Sequence, residues 1–247
     1  MNLRAAWRAV VLGLALLLIV VRFWLGRLRG PYTLVRRAEW MQDAALLVLG
    51  SMGIRCTVQG TPPPGGIVVA NHLSYLDIAV ISAAMPCFFV AKAEIDRWPF
   101  FGKAARSGGT IFIDRASRAS AESVTRQIAQ RMGMSVPVLF FPEGTTSDGS
   151  ELLRFRSRLF APAVAAAVPI TAASLRYVVA DGTPEREVAW FGDDSFLPHL
   201  WKLLGMAGMS AEVRFGEPRI YRDRREAADR TRAEIAGMRE QSVAALR

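Results

Sequence analysis

Residues Ile67–Ala79, IVVANHLSYLDIA, are the stretch from which the rest of the chain is read. A β-branched apolar run ends at Ala70, Asn71 and His72 follow at once, and Ser74 to Asp77 lead into a second apolar segment. That order predicts a buried strand, a short turn and the start of a helix. His72 is one of 2 histidines in the chain and lies where the strand hands over to the helix. In an open α/β sheet the carboxyl ends of strands face a crevice instead of the core. Asp77, in the first helical turn, can reach back, accept the Nδ1–H of His72 and leave Nε2 to take a proton. The same residues also spell S-x-x-D, close to a capping box, so Asp77 reads equally as a helix cap and His72 as a loop histidine. A carboxylate has lone pairs for both tasks.

On either side, apolar runs and helical periods alternate. Gly60–Gly66 is a Pro-rich rigid loop before the central strand. Cys87–Ala91, Thr110–Ile113 and Val136–Phe141 read as short strands, the second presenting Asp114 and Arg115 at its end. Ala119–Met134 is amphipathic. Ala161–Val168, Ile170–Val179 and Val188–Phe191 continue the fold, and Arg222–Leu246 is a charged amphipathic helix. Alternation of this kind predicts an α/β fold with a largely parallel sheet flanked by helices. His199 has no acid beside it in sequence and reads as structural.

The +9 net charge is unevenly placed. Residues 1–38 hold Arg4, Arg8, Arg22, Arg27, Arg29, Arg36 and Arg37 and no acid, which leaves +2 for the rest. These arginines bracket the apolar run Ala9–Val21 with Phe23 and Trp24, a pattern that suits an anionic membrane surface; no nucleic-acid motif accompanies them. As a helix that run is about 20 Å long against a hydrocarbon core near 30 Å, so dipping into one leaflet and spanning both stay open. No small-residue cleavage site follows, which favours an uncleaved anchor over a signal peptide. After Gly30-Pro31 a second helix is expected over Leu34–Met52, making a membrane-associated hairpin over 1–54; the alternative is a helix packed on the soluble body. With 51% hydrophobic residues and a mean hydropathy of +0.21, the 247 residues suit one core-forming domain, 55–247, behind that hairpin. Cys56 and Cys87 cannot make a disulfide framework and read as buried thiols of a reducing compartment.

Asn71-His72-Leu73-Ser74-Tyr75-Leu76-Asp77 resembles the N-H-x-x-x-x-D block of the glycerolipid acyltransferases, the family that includes 1-acylglycerol-3-phosphate acyltransferase. Gly109–Arg115 (GTIFIDR) resembles the second block of that family, Phe141–Thr145 (FPEGT) the third and Val168-Pro169-Ile170 the fourth, in the same order, over about residues 65–180. The resemblance implies His72 as general base, oriented by Asp77, with Asn71 and Ser74 of the same block near substrate. It implies that the Glu143-Gly144-Thr145 turn helps bind the acceptor and supplies oxyanion donors, and that Arg115 grips the acceptor phosphate. Thr146 stands where the family often has arginine, which leaves the acceptor's identity open. Arg154, Arg156 and Arg158 follow closely enough to supply a replacement cation, Arg156 foremost; their bland reading is a solvated helix start. The aromatic turn Trp98–Lys103 is either core packing or part of an acyl-chain wall.

Expected chemistry follows. A lysolipid hydroxyl attacks the thioester of acyl-CoA or acyl-carrier protein directly, with 1-acylglycerol-3-phosphate as first choice of acceptor and lyso-ornithine lipid or a lysophospholipid as alternatives. No G-x-S-x-G elbow or cysteine beside a histidine suggests an acyl-enzyme. No His, Cys or carboxylate cluster has metal-ligand spacing, so neither metal nor cofactor is expected. The expected place of work is the cytoplasmic face of the cell membrane. A membrane-tethered lipid-binding protein and a thioesterase are the rivals.

Overall fold

The structure, a computed structural model, describes residues 2–98, 101–113, 126–131 and 133–244. Arg115 and half of the amphipathic stretch Ala119–Met134 lie outside the described residues, as do Pro99 and Phe100 of the aromatic turn. Residues 126–131 are helical.

A helical hairpin comes first: α1, Leu3–Leu28, and α2, Leu34–Met52. Thr33 caps α2 by accepting from Arg36 N at 3.3 Å. Gly53 ends it at φ +70°, a left-handed conformation that also leaves room for the Arg8 guanidinium where a Cβ would sit. Seven strands then form one sheet in the order β1-β7-β6-β2-β5-β3-β4. They are β1 (Ile54–Gln59), β2 (Ile67–Ala70), β3 (Phe88–Lys92), β4 (Ile111–Ile113), β5 (Val138–Phe140), β6 (Ile170–Val179) and β7 (Met209–Phe215). Every neighbouring pair is parallel except β6 with β7, so β1 and β7 run against the other five. The longer helices of the body, among the described residues, are α3 (Leu76–Ala84), α4 (Phe101–Gly108), α5 (Phe196–Gly205) and α6 (Arg224–Ala244), and Ala161–Ala165 adds a short one. The α/β expectation therefore holds, with an antiparallel margin that local patterning does not reveal. Val188–Phe191 does not join the sheet, but Val188 and Ala189 are buried in the core.

β2 is apolar at every position because both its faces are covered, as in parallel sheets generally. On one face Val68, Ala70, Leu175 and Tyr177 meet α3, α5 and the hairpin residues Ala5, Leu49 and Met52. On the other, Ile67, Val69 and Phe140 meet Ala227, Ala228 and Ile235 of α6 together with Ala38 of α2. The second hairpin helix is thus built into both halves of the core.

α1 differs. It runs 26 residues, is long and apolar enough to cross a membrane, and leaves Leu14 and Leu17 63% and 62% exposed. Its start is tied to the C-terminal end of α5, where Arg8 donates to Leu204 O at 3.2 Å and Met206 O at 2.6 Å. Near its end, Arg27 lies over the rings of Phe23 and Trp24, 5.7 and 5.8 Å from their centroids. An arginine laid on aromatics suits a membrane–water boundary.

Candidate active site

The site is built where strands of unequal length stop side by side. β2 ends at Ala70, paired with Ala173, whereas β6 continues to Val179. The overhanging part of β6 therefore has no strand partner on the β2 side, and the His72 loop fills that place. Asn71 does so with its side chain: Nδ2 donates to Leu175 O at 3.0 Å, and Oδ1 accepts from Leu175 N at 2.7 Å. The amide imitates the next rung of the ladder. Asn71 is fully buried, so the substrate contact expected of it is replaced by a register clamp.

With the loop so fixed, His72 is held on three sides. Its backbone N–H donates to Glu143 Oε1 at 2.8 Å, and its carbonyl accepts from Ser147 N at 3.1 Å. Its ring stacks on Phe141, centroids 4.0 Å apart and planes 9° from parallel. Nδ1 lies 2.8 Å from Asp77 Oδ2. A carboxylate only accepts, so Nδ1 carries the proton and Nε2 presents a lone pair. Among the described residues no hydrogen bond reaches Nε2. The imidazole is 18% exposed and the Asp77 side chain 0%, so the pair shows its basic end and hides its charge.

Asp77 also accepts from Leu73 N at 2.6 Å and Ser74 N at 3.0 Å on Oδ2, and from the Tyr177 hydroxyl at 2.7 Å on Oδ1. The bond to Ser74 N is half of a capping box. The other half is not made: Ser74 Oγ is buried without a hydrogen-bond partner. Orienting His72 and capping the turn are performed by one carboxylate, and Ser74, expected beside substrate, is fully buried beneath it.

The Phe141–Thr145 turn leaves β5, the strand next to β2. Glu143 is 3% exposed; while Oε1 holds His72 N, Oε2 accepts from Leu153 N at 3.0 Å. Burial raises its carboxyl above the ordinary range, partly offset by those two N–H donors. Its oxygens staple three loops together, a different task from the substrate contact expected of it. Gly144 takes φ +74°, and the Arg156 side chain lies where its Cβ would be. Arg156 N donates to Pro142 O at 2.9 Å, which folds the cationic stretch back over the turn. Arg154, Arg156 and Arg158 are exposed, and with Glu143, Thr145 and Arg225 they line a cleft of about 1080 Å³. Thr145 is exposed and Thr146 half-buried.

His199 is held by both nitrogens: Nδ1 lies 3.1 Å from the Tyr75 hydroxyl and Nε2 3.0 Å from Ala189 O. Burial lowers its pKa, which keeps it neutral. Tyr75 also contacts Phe196 and Trp190 edge to face, and Trp98 and Phe101 pack on those two rings in turn, so the aromatic turn reaches the loop that carries His72 through Trp190 and Phe196. Burial pushes the Cys87 thiol well up, an inert setting. Among the described residues no group of three or more His, Cys, Asp or Glu could hold a metal ion. Phe141 and Tyr177 are the site residues that sequence reasoning left without a role. Phe141 stood in a quoted motif, whereas Tyr177 carries no local signal.

An acyltransferase family model matches residues 54–176, a span that holds the His72 loop, the Glu143 turn and the start of β6. A 1-acyl-sn-glycerol-3-phosphate acyltransferase of Neisseria meningitidis is 39% identical over 173 residues, 68% of this chain and 67% of the relative. The chain belongs to the acyltransferase family. Another acyltransferase, the lyso-ornithine lipid O-acyltransferase of Rhodobacter capsulatus, is 37% identical over 173 residues, 68% of this chain and 62% of that one. The match spans about three fifths to two thirds of the length of such curated relatives. Among solved structures, a 1-acyl-sn-glycerophosphate acyltransferase of Thermotoga maritima shares the fold: TM-score 0.54, 19% identity, 92% of this chain and 95% of that one covered.

Proposed function

We propose that this chain is a membrane-anchored lysolipid acyltransferase that moves a fatty acyl group from acyl-CoA or acyl-carrier protein to the free hydroxyl of 1-acylglycerol-3-phosphate, giving phosphatidic acid. The observation that carries the reading is the His72–Asp77 pair: a base aimed outward by a buried carboxylate, on a loop braced from β5 and β6. A binding module has no need of such a base. In the reaction, His72 Nε2 takes the proton of the acceptor hydroxyl as its oxygen bonds to the thioester carbonyl carbon. The C–S bond then breaks, and the departing sulfur receives the proton from the imidazolium. Asp77 steadies that imidazolium, and backbone N–H groups of the turn after β5 serve the transient oxyanion. A covalent acyl-enzyme is not needed, because the acceptor brings its own nucleophile.

Arg156, exposed beside Gly144, serves as the cation for an anionic head group, with Arg115 as its partner. The exposed apolar side of α1 anchors the chain, and the arginines around it put the body on the cytoplasmic face, where positive flanks are retained and water-soluble acyl donors are at hand. Thr146 and the lyso-ornithine enzymes among the relatives support a second acceptor reading, a lysolipid with an amino-acid head group. Thiol release from acyl-CoA and from acyl-carrier protein, followed with and without each lysolipid, tests the proposal. Release that requires lysophosphatidate and yields phosphatidate supports it. Equal release without lysolipid identifies a thioesterase, no release with either donor identifies a binding protein, and dependence on lyso-ornithine lipid alone moves the acceptor to the second reading.

A further inference from the structure

We propose that Tyr177 is a positioning residue for the His72–Asp77 pair, holding Asp77 by Oδ1 so that Oδ2 stays on His72 Nδ1. The inference rests on His72 being the base, and it concerns a residue one position past the stretch matched by the family model.

Asp77 is fully buried, and a buried carboxylate persists only if donors surround it. Three donors converge on Oδ2, all from the loop itself. Oδ1 has one among the described residues, the Tyr177 hydroxyl at 2.7 Å. Without it the carboxylate is free to rock about the crowded oxygen, and the imidazole rocks with it. Tyr177 is well placed to prevent this because it is itself fixed. Its N–H donates to Glu185 Oε1 at 2.7 Å, and Glu185 Oε2 pairs with Arg239 of α6 at 2.7 Å. Leu175, two residues earlier on the same face of β6, clamps Asn71. Successive inward positions of one strand thus grip both ends of the His72 loop. Burial and the adjacent Asp77 charge hold the phenol well above its ordinary range, so it remains the donor. The other ionisable groups facing this cluster are Glu143 from the turn after β5, Glu185 with Arg239, and Cys56 of β1.

Tyr177→Phe in the full chain, reconstituted in lipid or detergent, removes the hydroxyl and nothing else. The expected result is a kcat about tenfold lower with the acceptor KM within about twofold, since a bond to a charged group is lost away from substrate. An Oδ1 relieved of its donor holds more charge toward the imidazolium. The acid limb of kcat/KM should therefore move to higher pH by about half to one unit, and the Nδ1 proton resonance of His72 should shift. A wild-type kcat with unmoved limb and resonance overturns the proposal. So does a loss of the same factor in a His72→Ala background, since Tyr177 would then act elsewhere. Full activity in His72→Ala alone, by contrast, removes the base reading and not merely the role of Tyr177. Loss of a donor to the buried Asp77 should lower the melting temperature somewhat, so both proteins are assayed well below the melting temperature of Tyr177→Phe, which keeps the comparison free of unfolding.

Discussion

The chain places its two histidines in neighbouring regions that are built for opposite ends. Around His72, every hydrogen bond from the described residues goes to the backbone or to Nδ1, and none of them reaches Nε2. Around His199, the Tyr75 hydroxyl and Ala189 O occupy both nitrogens, and the ring becomes part of the seam that joins α5 to the aromatic group. That seam continues through Arg8 into α1. One region points a ring nitrogen outward, and the other ties the start of α1 to the body. What separates them is the back of the ring: a buried carboxylate behind His72, neutral partners around His199. Contact with aromatic rings would not have told them apart, since both have it.

The comparison breaks most visibly at the bases themselves. His72→Ala should lower kcat by about 10²–10⁴ while vesicle binding is kept, and His199→Gln should keep most of the activity. A reversal of that order, measured on folded protein, would exchange the two roles. On the anchor side, Leu14→Glu with Leu17→Glu puts two charges on the exposed face of α1. Most of the protein should then stay in the supernatant of a vesicle sedimentation assay, with turnover on a short-chain soluble acceptor retained. Deleting residues 1–52 is a blunter version, because it also removes Leu49 and Met52 from the core.

A finer distinction concerns the acceptor. With lysophosphatidate, Arg156→Ala should raise KM about tenfold at constant kcat, the size of one charge-assisted contact, and Thr146→Arg should restore part of it. An unchanged preference between lysophosphatidate and lyso-ornithine lipid in both variants would mean this turn does not read the head group. The smallest effect is thermal. Burial lowers the pKa of His199, so the unfolded chain takes up its proton first, and stability falls as pH drops below about 6.5. Between about pH 7.5 and about pH 5.5 the wild type should lose more melting temperature than His199→Gln. An equal loss in both would show that other groups govern the acid side.

Much of this was legible before any coordinates. The β-branched run before Asn71 marked β2, the spacing of His72 and Asp77 allowed a pair or a cap and the resemblance favoured the pair, and the apolar run with its arginines marked α1 as different from α2. What stayed hidden depends on strand order. Tyr177 lies 100 residues from Asp77 and Leu175 104 from Asn71. Only the placement of β6 against β2, with its longer run, brings them together, and no local pattern encodes that neighbour. The same lack explains Asn71, Ser74 and Glu143, which the resemblance placed with substrate. Asn71 and Glu143 are drawn inward to meet backbone N–H groups, Leu175 N for the first and His72 N and Leu153 N for the second, and Ser74 is buried with them although its hydroxyl has no partner among the described residues. The second helix was ambiguous for another reason: an apolar face does not say whether lipid or protein covers it.

The overhang of β6 has one more consequence, for how the protein fails. Many enzymes lose activity on heating before they melt, because their chemistry sits on loops that loosen first. Here the loop that carries His72 is fastened to an interior strand at Asn71 and Asp77 and to the neighbouring β5 turn through Glu143. It has little freedom to come loose while the sheet stands. Heating should therefore produce no inactive but folded form: the temperature at which turnover is lost and the temperature at which the sheet melts are one and the same.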